Sequence, residues 1–261
     1  MTQGHSRVDD SEGIRQATRF GQMGDAMIDE AIVLAGGLGT RLRGMVDDVP
    51  KPLAPVAGKP FLAWLLDALA VQRFRHVVLA TGYRGEQVEA ALGGAWQGMS
   101  LEYSREPGPL GTGGAIALAM ERITGRACFV LNGDTWLELD YARLDAAARV
   151  EDARLTVALA AVPNASRYGA VRVDSGRITG FLEKGQAESG FVNAGVYRLS
   201  RSLLDGFSAG SAFSFEHDVL VPAVSRETVI AYTDTRGFID IGVPEDYRGA
   251  QARFAARDVA T

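Results

Sequence analysis

Short apolar runs alternate with longer amphipathic segments along the first half of the chain. Runs of this kind suit buried strands, whereas the longer segments carry apolar side chains at helical spacing. The predicted strands are residues 31–34, 76–80, 101–104 and 128–131, and the predicted helices are residues 60–69, 86–92 and 115–123. This alternation predicts an α/β fold with a mainly parallel sheet, helices on both faces and ligands at the carboxyl ends of the strands.

The pattern changes after Leu155, where short strands follow one another. Residues 169–173 and 178–183 are joined through a polar turn, which predicts a hairpin. A further helix is predicted to open at Pro244. No internal repeat or linker is evident, so we expect a single domain. The expected division is a polar, mobile leader at residues 1–26 and a domain at residues 27–261, whose two halves are residues 27–150 and 151–261.

Composition and charge narrow the classes of protein that this chain can represent. Hydrophobic residues make up 47% and charged residues 23%, and the net charge is −5. No apolar stretch approaches the roughly 20 residues that span a bilayer, so no membrane partner is expected. The negative net charge also disfavours nucleic acid as a partner. Cys128 is the single cysteine and lies in an apolar run, which predicts a buried structural thiol and, by default, a cytoplasmic protein.

A glycine-rich segment with basic side chains follows the first predicted strand. Glycines at the end of a strand let backbone N–H groups approach phosphate oxygens closely. Farther along, Lys51 stands between two prolines, which restrict its backbone. The segment therefore predicts a site for a small polyphosphate. Its candidate binding residues are Leu34, Ala35, Gly36, Gly37, Gly39, Thr40, Arg41 and Lys51.

Two common phosphate-binding patterns do not fit this segment. The dinucleotide pattern G-x-G-x-x-G requires a glycine where Leu42 stands, and the P-loop pattern requires Gly-Lys-Ser/Thr where residues 44–46 read Gly-Met-Val. The order G-G-L-G-T-R-L followed by P-K-P instead resembles the opening motif of the sugar-1-phosphate nucleotidyltransferase family. The resemblance extends from Met27 to Ala256. It implies a Rossmann-like, GT-A-like mixed sheet in a single domain.

The segment from Ser104 to Ala115 resembles the part of the family that lies against the nucleobase. The resemblance implies base contacts by Glu106, Gly111 and Thr112. Pyrimidine-specific relatives typically have a glutamine where this chain has Glu106. Guanine presents two adjacent N–H donors that suit the two oxygens of a carboxylate, whereas a carboxylate repels the carbonyls of uracil and thymine. Glu106 therefore favours guanine, and GTP is the expected nucleotide.

Two aspartates resemble the metal-binding carboxylates of the family. Asp134 follows a predicted buried strand in L-N-G-D-T, where it is suited to hold Mg²⁺ between phosphates. Asp240 lies between two isoleucines in F-I-D-I-G-V-P-E-D-Y, where burial of an unpaired charge is costly. The resemblance implies that Asp240 is the second carboxylate on the metal. Mg²⁺ is therefore the expected cofactor.

A third set of residues resembles the acceptor site of the family. The resemblance implies that Lys184 meets the phosphate of a sugar 1-phosphate and that Glu183 accepts hydrogen bonds from sugar hydroxyls. The remaining candidates for this site are Tyr168, Gly169 and Asn193. His217 is interpreted as part of a helix start and not as a catalytic base.

Within the family, the motifs P-L-G-T-G-G-A-I, L-N-G-D-T and F-I-D-I-G-V-P-E-D-Y resemble those of the subgroup that transfers a guanylyl group to heptose 1-phosphates for polysaccharide assembly. The implied catalytic residues are Arg41 on the departing pyrophosphate, Lys51 on the nucleotide phosphates, Asp134 on the metal and Lys184 on the acceptor. Three alternatives stay open: mannose 1-phosphate as acceptor, a thymidylyl- or uridylyltransferase, and a non-catalytic binder of nucleotide sugars. A homo-oligomer is also possible on these grounds.

Overall fold

The computed structural model describes residues 27–37, 49–185 and 188–258. The predicted leader at residues 1–26 lies outside this part. The described residues form fourteen strands: β1 Glu30–Leu34, β2 Pro55–Val56, β3 Lys59–Pro60, β4 His76–Thr81, β5 Ala95–Trp96, β6 Met99–Arg105, β7 Ala127–Asn132, β8 Thr135–Glu138, β9 Leu155–Val162, β10 Val171–Asp174, β11 Arg177–Phe181, β12 Gly190–Ser200, β13 Val229–Tyr232 and β14 Arg236–Asp240.

Six α-helices accompany these strands in the described part of the chain. They are α1 Phe61–Val71, α2 Gly85–Leu92, α3 Gly111–Met120, α4 Tyr141–Val150, α5 Val221–Arg226 and α6 Pro244–Asp258. Short 3₁₀ turns occupy Lys51–Leu53 and Arg201–Leu204, and a π-helical turn occupies Phe215–Leu220.

A ten-stranded mixed sheet forms the centre of the molecule, in the order β10-β11-β13-β9-β12-β7-β1-β4-β6-β5. The neighbours β7, β1, β4 and β6 run parallel, as the alternating pattern of the first half predicted. Their carboxyl ends therefore lie along one edge. Alternate residues of β1 face opposite layers: Ala31 and Val33 pack towards α1, and Ile32 packs towards α3. The mixed, mainly parallel sheet predicted from the sequence is confirmed.

The second half of the chain adds antiparallel strands to this sheet. The predicted hairpin is confirmed as β10 and β11, although residues 169–170 and 182–183 lie outside its strands. Gly169 has φ +82°, in the left-handed region, and its N–H bonds to Ala165 O as part of a turn. The long strand β12 was not predicted. It pairs with both β7 and β9, and its register shifts between Asn193 and Val196.

The glycine-rich helix α3 begins earlier and ends earlier than the predicted residues 115–123. Its first turn is formed by Gly111, Thr112, Gly113 and Gly114, residues whose glycines favour turns on local grounds. A distant segment supports this turn, because Gly113 N donates to Phe213 O at 3.0 Å. This tertiary contact explains why a helix begins where the local sequence indicated a loop.

A two-stranded sheet formed by β8 and β14 lies beside the large sheet. Thr135 pairs with Asp240 across it, and Ile241 N donates to Asp134 O at 3.0 Å. Residues more than a hundred positions apart therefore meet at the carboxyl end of β7. This pairing positions the two aspartates that the sequence had singled out.

Candidate active site

A cavity of about 630 Å³ opens at the carboxyl ends of the parallel strands β1, β4, β6 and β7. Eight residues that the sequence nominated line it: Leu34, Gly36, Gly37, Lys51, Glu106, Gly111, Thr112 and Asp134. Ala35 is buried directly beneath, and its N–H donates to Ala80 O at 2.8 Å. Gly39, Thr40 and Arg41 lie outside the described residues. The structure thus gathers the described part of the predicted nucleotide site into one cavity.

The individually predicted site residues leave out several other lining residues. They are Pro52, Ala80, Gly82, Tyr83, Gly108, Pro109, Ala115 and Asn132. Gly82, Tyr83 and Asn132 follow or end predicted strands, so the rule that ligands bind at the carboxyl ends of parallel strands could have found them.

Two glycines bring the walls of this cavity close together. A Cβ added to Gly36 would lie 2.9 Å from Gly82 N and 3.1 Å from Glu106 Oε1. A Cβ added to Gly133 would lie 2.5 Å from Leu34 O, to which Gly133 N donates at 2.9 Å. A larger side chain at either position would force the strand ends apart. These glycines are therefore required by the packing of the cavity walls.

Glu106 lines the cavity directly after β6 and is held by backbone contacts. Its N–H donates to Thr81 O at 3.0 Å, and its Oε2 accepts from Leu110 N at 2.9 Å. Partial burial raises the pKa of the Glu106 carboxyl, and the Leu110 hydrogen bond offsets part of this. Each carboxylate oxygen has two acceptor sites, so Oε1 and the second site of Oε2 can accept from a ligand. The geometry suits a pair of adjacent N–H donors.

The turn that opens α3 is joined to the second half of the chain. Thr112 Oγ1 accepts from Phe215 N at 3.0 Å, and Phe213 N donates to Leu110 O at 2.9 Å. Gly111 has φ +70°, and a Cβ there would lie 2.6 Å from Phe213 O. Since the Thr112 hydroxyl accepts from the backbone, its own proton is directed elsewhere. This hydroxyl can donate to a ligand in the cavity.

A cluster of one lysine and two aspartates lies just after β7, where Lys51 and Asp134 line the cavity and Asp240 is not among the lining residues. Lys51 Nζ and Asp134 Oδ2 form an ion pair at 2.5 Å. Asp240 Oδ1 accepts from Gly242 N at 2.8 Å. Burial and the nearby charge of Asp134 raise the pKa of Asp240, whereas Lys51 and the Gly242 N–H act in the opposite direction. The cluster therefore carries more negative than positive charge.

This cluster fits a bound divalent cation. Asp134 and Asp240 supply the hard oxygen donors that Mg²⁺ prefers. The raised pKa of Asp240, caused first by burial and then by Asp134, indicates negative charge that Lys51 alone does not balance. Among the described residues no group of three or more potential ligands comes together. Two carboxylates suffice for Mg²⁺ when substrate phosphates and water complete its coordination.

The residues nominated for the acceptor do not line this cavity. Tyr168 packs edge-on against Phe238, and its hydroxyl donates to Asp246 Oδ2 at 2.9 Å. Burial and the charge of Asp246 raise the pKa of Tyr168. Glu183 and Lys184 are exposed in the turn after β11. In this turn Gly185 N donates to Ser166 O at 3.0 Å, which brings the turn close to the segment that carries Tyr168. Of these residues, Tyr168 lies close enough to Asp240 for the charge of Asp240 to contribute to the raised pKa of Tyr168.

Asn193 is largely engaged within the protein. Its Nδ2 donates to Tyr197 Oη at 2.9 Å and to Glu216 Oε1 at 3.1 Å, and its Oδ1 accepts from Gly195 N at 3.0 Å. Both amide protons are thus in use, which leaves one acceptor position on Oδ1. The sequence could not indicate this, because Glu216 reaches Asn193 only through the fold.

Two residues that the sequence excluded from chemistry behave as expected. Cys128 is completely buried, and burial raises the pKa of its thiol to about 12. His217 is exposed, and its backbone N–H donates to Ser214 Oγ at the start of the π-helical turn.

Within the described part of the chain, no helix combines the length and apolar character needed to cross a membrane.

Comparison with known proteins adds to this geometry. Residues 30–257 match the Nucleotidyl transferase family. The chain is 40% identical over 222 residues to D-glycero-alpha-D-manno-heptose 1-phosphate guanylyltransferase of Aneurinibacillus thermoaerophilus, a match that covers 85% of this chain and 96% of the relative. It is 37% identical over 224 residues to mannose-1-phosphate guanylyltransferase of Mycobacterium tuberculosis, covering 84% of this chain and 62% of that protein.

Solved structures share the fold. HddC from Yersinia pseudotuberculosis complexed with GMP-PN superposes with a TM-score of 0.77 at 33% identity, covering 87% of this chain and 100% of that chain. A putative glucose-1-phosphate thymidylyltransferase from Bacillus anthracis has a TM-score of 0.75 at 20% identity over 87% of this chain and 95% of that one, which speaks to the fold alone. Residues 30–257 match the family model, and the predicted nucleotide-binding residues that the structure describes meet at the carboxyl ends of the parallel strands. This chain therefore belongs to the Nucleotidyl transferase family.

Proposed function

We propose that the chain is a sugar-1-phosphate guanylyltransferase, which condenses GTP with a sugar 1-phosphate to a GDP-sugar and pyrophosphate. One observation carries the proposal: a single cavity is lined by the Glu106 carboxylate, which follows β6, and by the ion pair of Lys51 with Asp134, which follows β7, and the strands β1 and β4 lie between β6 and β7. A carboxylate that can bind the base edge and a separate charged site for phosphates, both in one cavity, suit a nucleoside triphosphate. The guanylyltransferase names of the relatives and the GMP-PN complex of HddC support the same nucleotide.

In this reaction a phosphate oxygen of the sugar 1-phosphate attacks the α-phosphorus of GTP, and the bond from that phosphorus to the β-phosphate oxygen breaks. The attacking oxygen is already anionic, so no protein nucleophile or base is required. The enzyme must align two anions and offset their repulsion. In our assignment Lys51 holds the nucleotide phosphates and Arg41 holds the departing pyrophosphate. The Arg41 role rests on the sequence motif, because Arg41 lies outside the described residues.

Asp134 and Asp240 are the proposed ligands of Mg²⁺. When bound, this cation would screen the phosphate charges during the attack. The protein prepares for it by bringing two carboxylates together at the junction of β8 and β14. Lys51 neutralises part of their charge through its ion pair with Asp134. A nucleotide entering with Mg²⁺ would compete for both Lys51 and Asp134, so this pair is expected to separate or share its contacts on binding.

We propose a heptose 1-phosphate as the acceptor, on the strength of the 40% identity to an enzyme named for that substrate. Lys184 and Glu183 are exposed, as residues that meet a diffusing sugar phosphate must be. Tyr168, Gly169 and Asn193 complete the proposed acceptor site. The relative from Mycobacterium tuberculosis keeps mannose 1-phosphate as the second candidate acceptor. Glu106 disfavours a thymidylyl- or uridylyltransferase.

A nucleotide-sugar-binding regulator without turnover is the alternative from another class. The intact set of Lys51, Asp134 and Asp240 speaks against it, because a protein that only binds has no need for paired carboxylates beside the phosphate lysine. We further propose a cytoplasmic enzyme whose product feeds surface polysaccharides such as capsule or lipopolysaccharide. GTP is supplied in the cytoplasm, and a GDP-sugar is an activated sugar donor of the kind that polysaccharide synthesis consumes, so both support this proposal.

A screen of pyrophosphate release tests the proposal. GTP, UTP, dTTP and ATP would each be combined with D-glycero-α-D-manno-heptose 1-phosphate, mannose 1-phosphate and glucose 1-phosphate. We expect the highest kcat/KM for GTP with the heptose phosphate, and no turnover without Mg²⁺. A preference for mannose 1-phosphate would change the acceptor, and a preference for UTP or dTTP would change the nucleotide. Binding without pyrophosphate release in every combination would favour the regulator.

A further inference from the structure

Tyr83 is an aromatic residue in the wall of the nucleotide cavity that neither the motifs nor the chemistry above uses. Its ring is 58% exposed, although most large apolar side chains of the described chain are buried. It lines the same cavity as Glu106, Gly108 and Pro109. Single exposed aromatic residues are common on protein surfaces, so the position of Tyr83 in this cavity is what requires an explanation.

The base-reading end of the cavity lies directly beside Tyr83. A Cβ added to the preceding residue, Gly82, would lie 3.7 Å from Glu106 Oε1. Glu106 N in turn bonds to Thr81 O. The chain segment that carries Tyr83 therefore touches the carboxylate that we assign to the edge of guanine. A base whose edge meets Glu106 must present one of its faces to a neighbouring wall.

The backbone around Tyr83 is held in a defined conformation. Gly85 N donates to Gly82 O at 3.0 Å, which closes a turn around Tyr83 and Arg84. Arg84 has φ +59°, in the left-handed region that most residues avoid. A Cβ added to Gly85 would lie 2.8 Å from Thr81 Oγ1, so α2 begins tightly against β4. The turn therefore presents the Tyr83 side chain from a constrained backbone.

The Arg84 guanidinium lies over the Tyr83 ring, with Cζ 5.6 Å from the ring centroid. A cation over one face of an aromatic ring is a favourable contact. It leaves the opposite face for a second planar partner. A purine offers such a face, and base–aromatic stacking tolerates any base because every base has a π-face.

We infer that Tyr83 is a nucleotide-binding residue that stacks its ring on the face of the base while Glu106 reads the base edge. This inference rests on the proposed function and adds to it a second, independent base contact. The two residues divide recognition between them: Glu106 selects guanine by its N–H donors, and Tyr83 supplies affinity for the ring irrespective of its substituents.

Steady-state kinetics with GTP and ITP test this division, because ITP lacks the N2 amino group that Glu106 is assigned to read. In Tyr83→Ala we expect KM for GTP and for ITP to rise by the same factor, roughly 5- to 100-fold. The KM for sugar 1-phosphate and for pyrophosphate in the reverse reaction should stay within about twofold, since neither carries the base. Tyr83→Phe, which keeps the ring, should restore KM towards the wild-type value.

Two further variants separate the inference from general effects. Glu106→Gln should narrow the difference between GTP and ITP, which Tyr83→Ala should leave intact. Val150→Ala truncates a side chain that is 82% exposed at the end of α4 and should change neither KM. An unchanged KM for GTP in Tyr83→Ala would overturn the stacking role and leave the guanylyltransferase proposal standing.

If the wild-type enzyme instead prefers UTP or dTTP, the guanine assignment fails while Tyr83 can still be judged with the preferred nucleotide. An increase in KM for that nucleotide in Tyr83→Ala would support stacking. No increase would overturn it.

Discussion

At the scale of single residues, the charge balance around Lys51 determines what the cavity can bind. Two carboxylates face one ammonium group, and the pKa of Asp240 is raised by burial and by Asp134. A folded protein keeps such an excess of negative charge only where a cation or hydrogen-bond donor offsets it. The Gly242 N–H supplies one donor to Asp240. The rest of the charge is available for the proposed metal.

Asp134→Asn and Asp240→Asn test this assignment. Each variant keeps the size of the side chain and removes one negative charge, so we expect the fold to persist and kcat in Mg²⁺ to fall by about 10²-fold or more. The measurement is pyrophosphate release over a range of Mg²⁺ concentrations, with thermal unfolding as the check on the fold. Near wild-type turnover in either variant would remove that aspartate from the metal site.

Lys184 makes a second residue-scale prediction. Its charge is assigned to the acceptor phosphate alone, so Lys184→Ala should raise KM for the sugar 1-phosphate by roughly tenfold or more and leave KM for GTP nearly unchanged. Arg172→Ala is the matched control, because Arg172 is an exposed cation in the hairpin that precedes Lys184. Equal changes in both KM values, or an equal effect of the control, would contradict the role given to Lys184.

At the scale of elements, the first turn of α3 links the nucleotide cavity to the second half of the chain. Gly113 N and Thr112 Oγ1 both bond to the segment around Phe213 and Phe215. That segment continues into the π-helical turn Phe215–Leu220, a rare helical form that is frequent at functional sites. Glu216 in this turn holds Asn193 of β12. One short segment therefore connects β12, which carries the proposed acceptor residue Asn193, with the turn that carries the proposed base-binding residue Thr112.

A comparison of two helical glycines tests this coupling. Replacement of glycine by alanine inside an exposed helix normally stabilises it by about 1 kcal/mol. In Gly113→Ala the new Cβ would collide with the Phe213 ring, so we expect a loss of about 1–3 kcal/mol in the free energy of unfolding. The KM for GTP should also rise. Gly249→Ala in α6 has no atom within 4 Å of its added Cβ and should be stabilising.

Urea unfolding of both glycine variants provides the measurement. Opposite signs of the change are expected at the two positions. If Gly113→Ala is as stabilising as Gly249→Ala, the segment around Phe213 can move away without cost and does not support the first turn of α3.

At the scale of the whole molecule, the proposed active site and a buried stabilising carboxylate lie at opposite ends of the parallel strands. The cavity occupies the carboxyl ends, while a buried carboxylate, Glu30, ties the amino ends together. Glu30 accepts from Thr124 N at 3.0 Å, from Gly125 N at 2.6 Å and from His76 Nδ1 at 3.0 Å. Burial opposes ionisation of Glu30, but these hydrogen bonds outweigh it and hold its pKa below the usual value.

This arrangement predicts a pH-dependent contribution to stability. Because the pKa of Glu30 is lower in the folded than in the unfolded protein, its ionised form stabilises the fold at neutral pH, and that stabilisation is lost as the pH falls through the folded pKa. Glu30→Gln should lower the free energy of unfolding at pH 7 by about 1–3 kcal/mol. The difference from wild type should shrink below about pH 4. Urea unfolding at both pH values measures it.

Glu121→Gln is the control for the Glu30 prediction, because Glu121 is exposed just after α3. Its effect should stay within about 0.5 kcal/mol. Catalytic turnover of Glu30→Gln should be retained under conditions where the variant is folded, since Glu30 lies at the end of the sheet opposite the cavity. A pH-independent loss of stability would show that Glu30 acts through packing and not through its charge.

The sequence by itself determined the elements and motifs whose causes are local. Apolar periodicity was enough to predict β1, β4, β6, β7 and the helices between them, because burial of alternating faces dictates that pattern. Their parallel order implied a site at the carboxyl ends. Glycine turns and prolines around Lys51 indicated phosphate binding through backbone geometry. The family itself was indicated by the resemblance of the ordered motifs G-G-L-G-T-R-L and P-K-P, which requires no knowledge of contacts.

Only the tertiary structure decided which groups meet. The pairing of β8 with β14 brings Asp240 close to Asp134. The contact with Phe213 allows the glycine-rich segment to form the first turn of α3. Asn193, which the sequence offered as a candidate sugar contact, donates hydrogen bonds to Tyr197 and Glu216. The position of Tyr83 after a predicted strand could have placed it near the site, but only the fold shows that its ring lines the cavity beside Glu106. Such outcomes depend on residues far apart in the chain, whose approach is set by the packing of the whole sheet and not by local propensity.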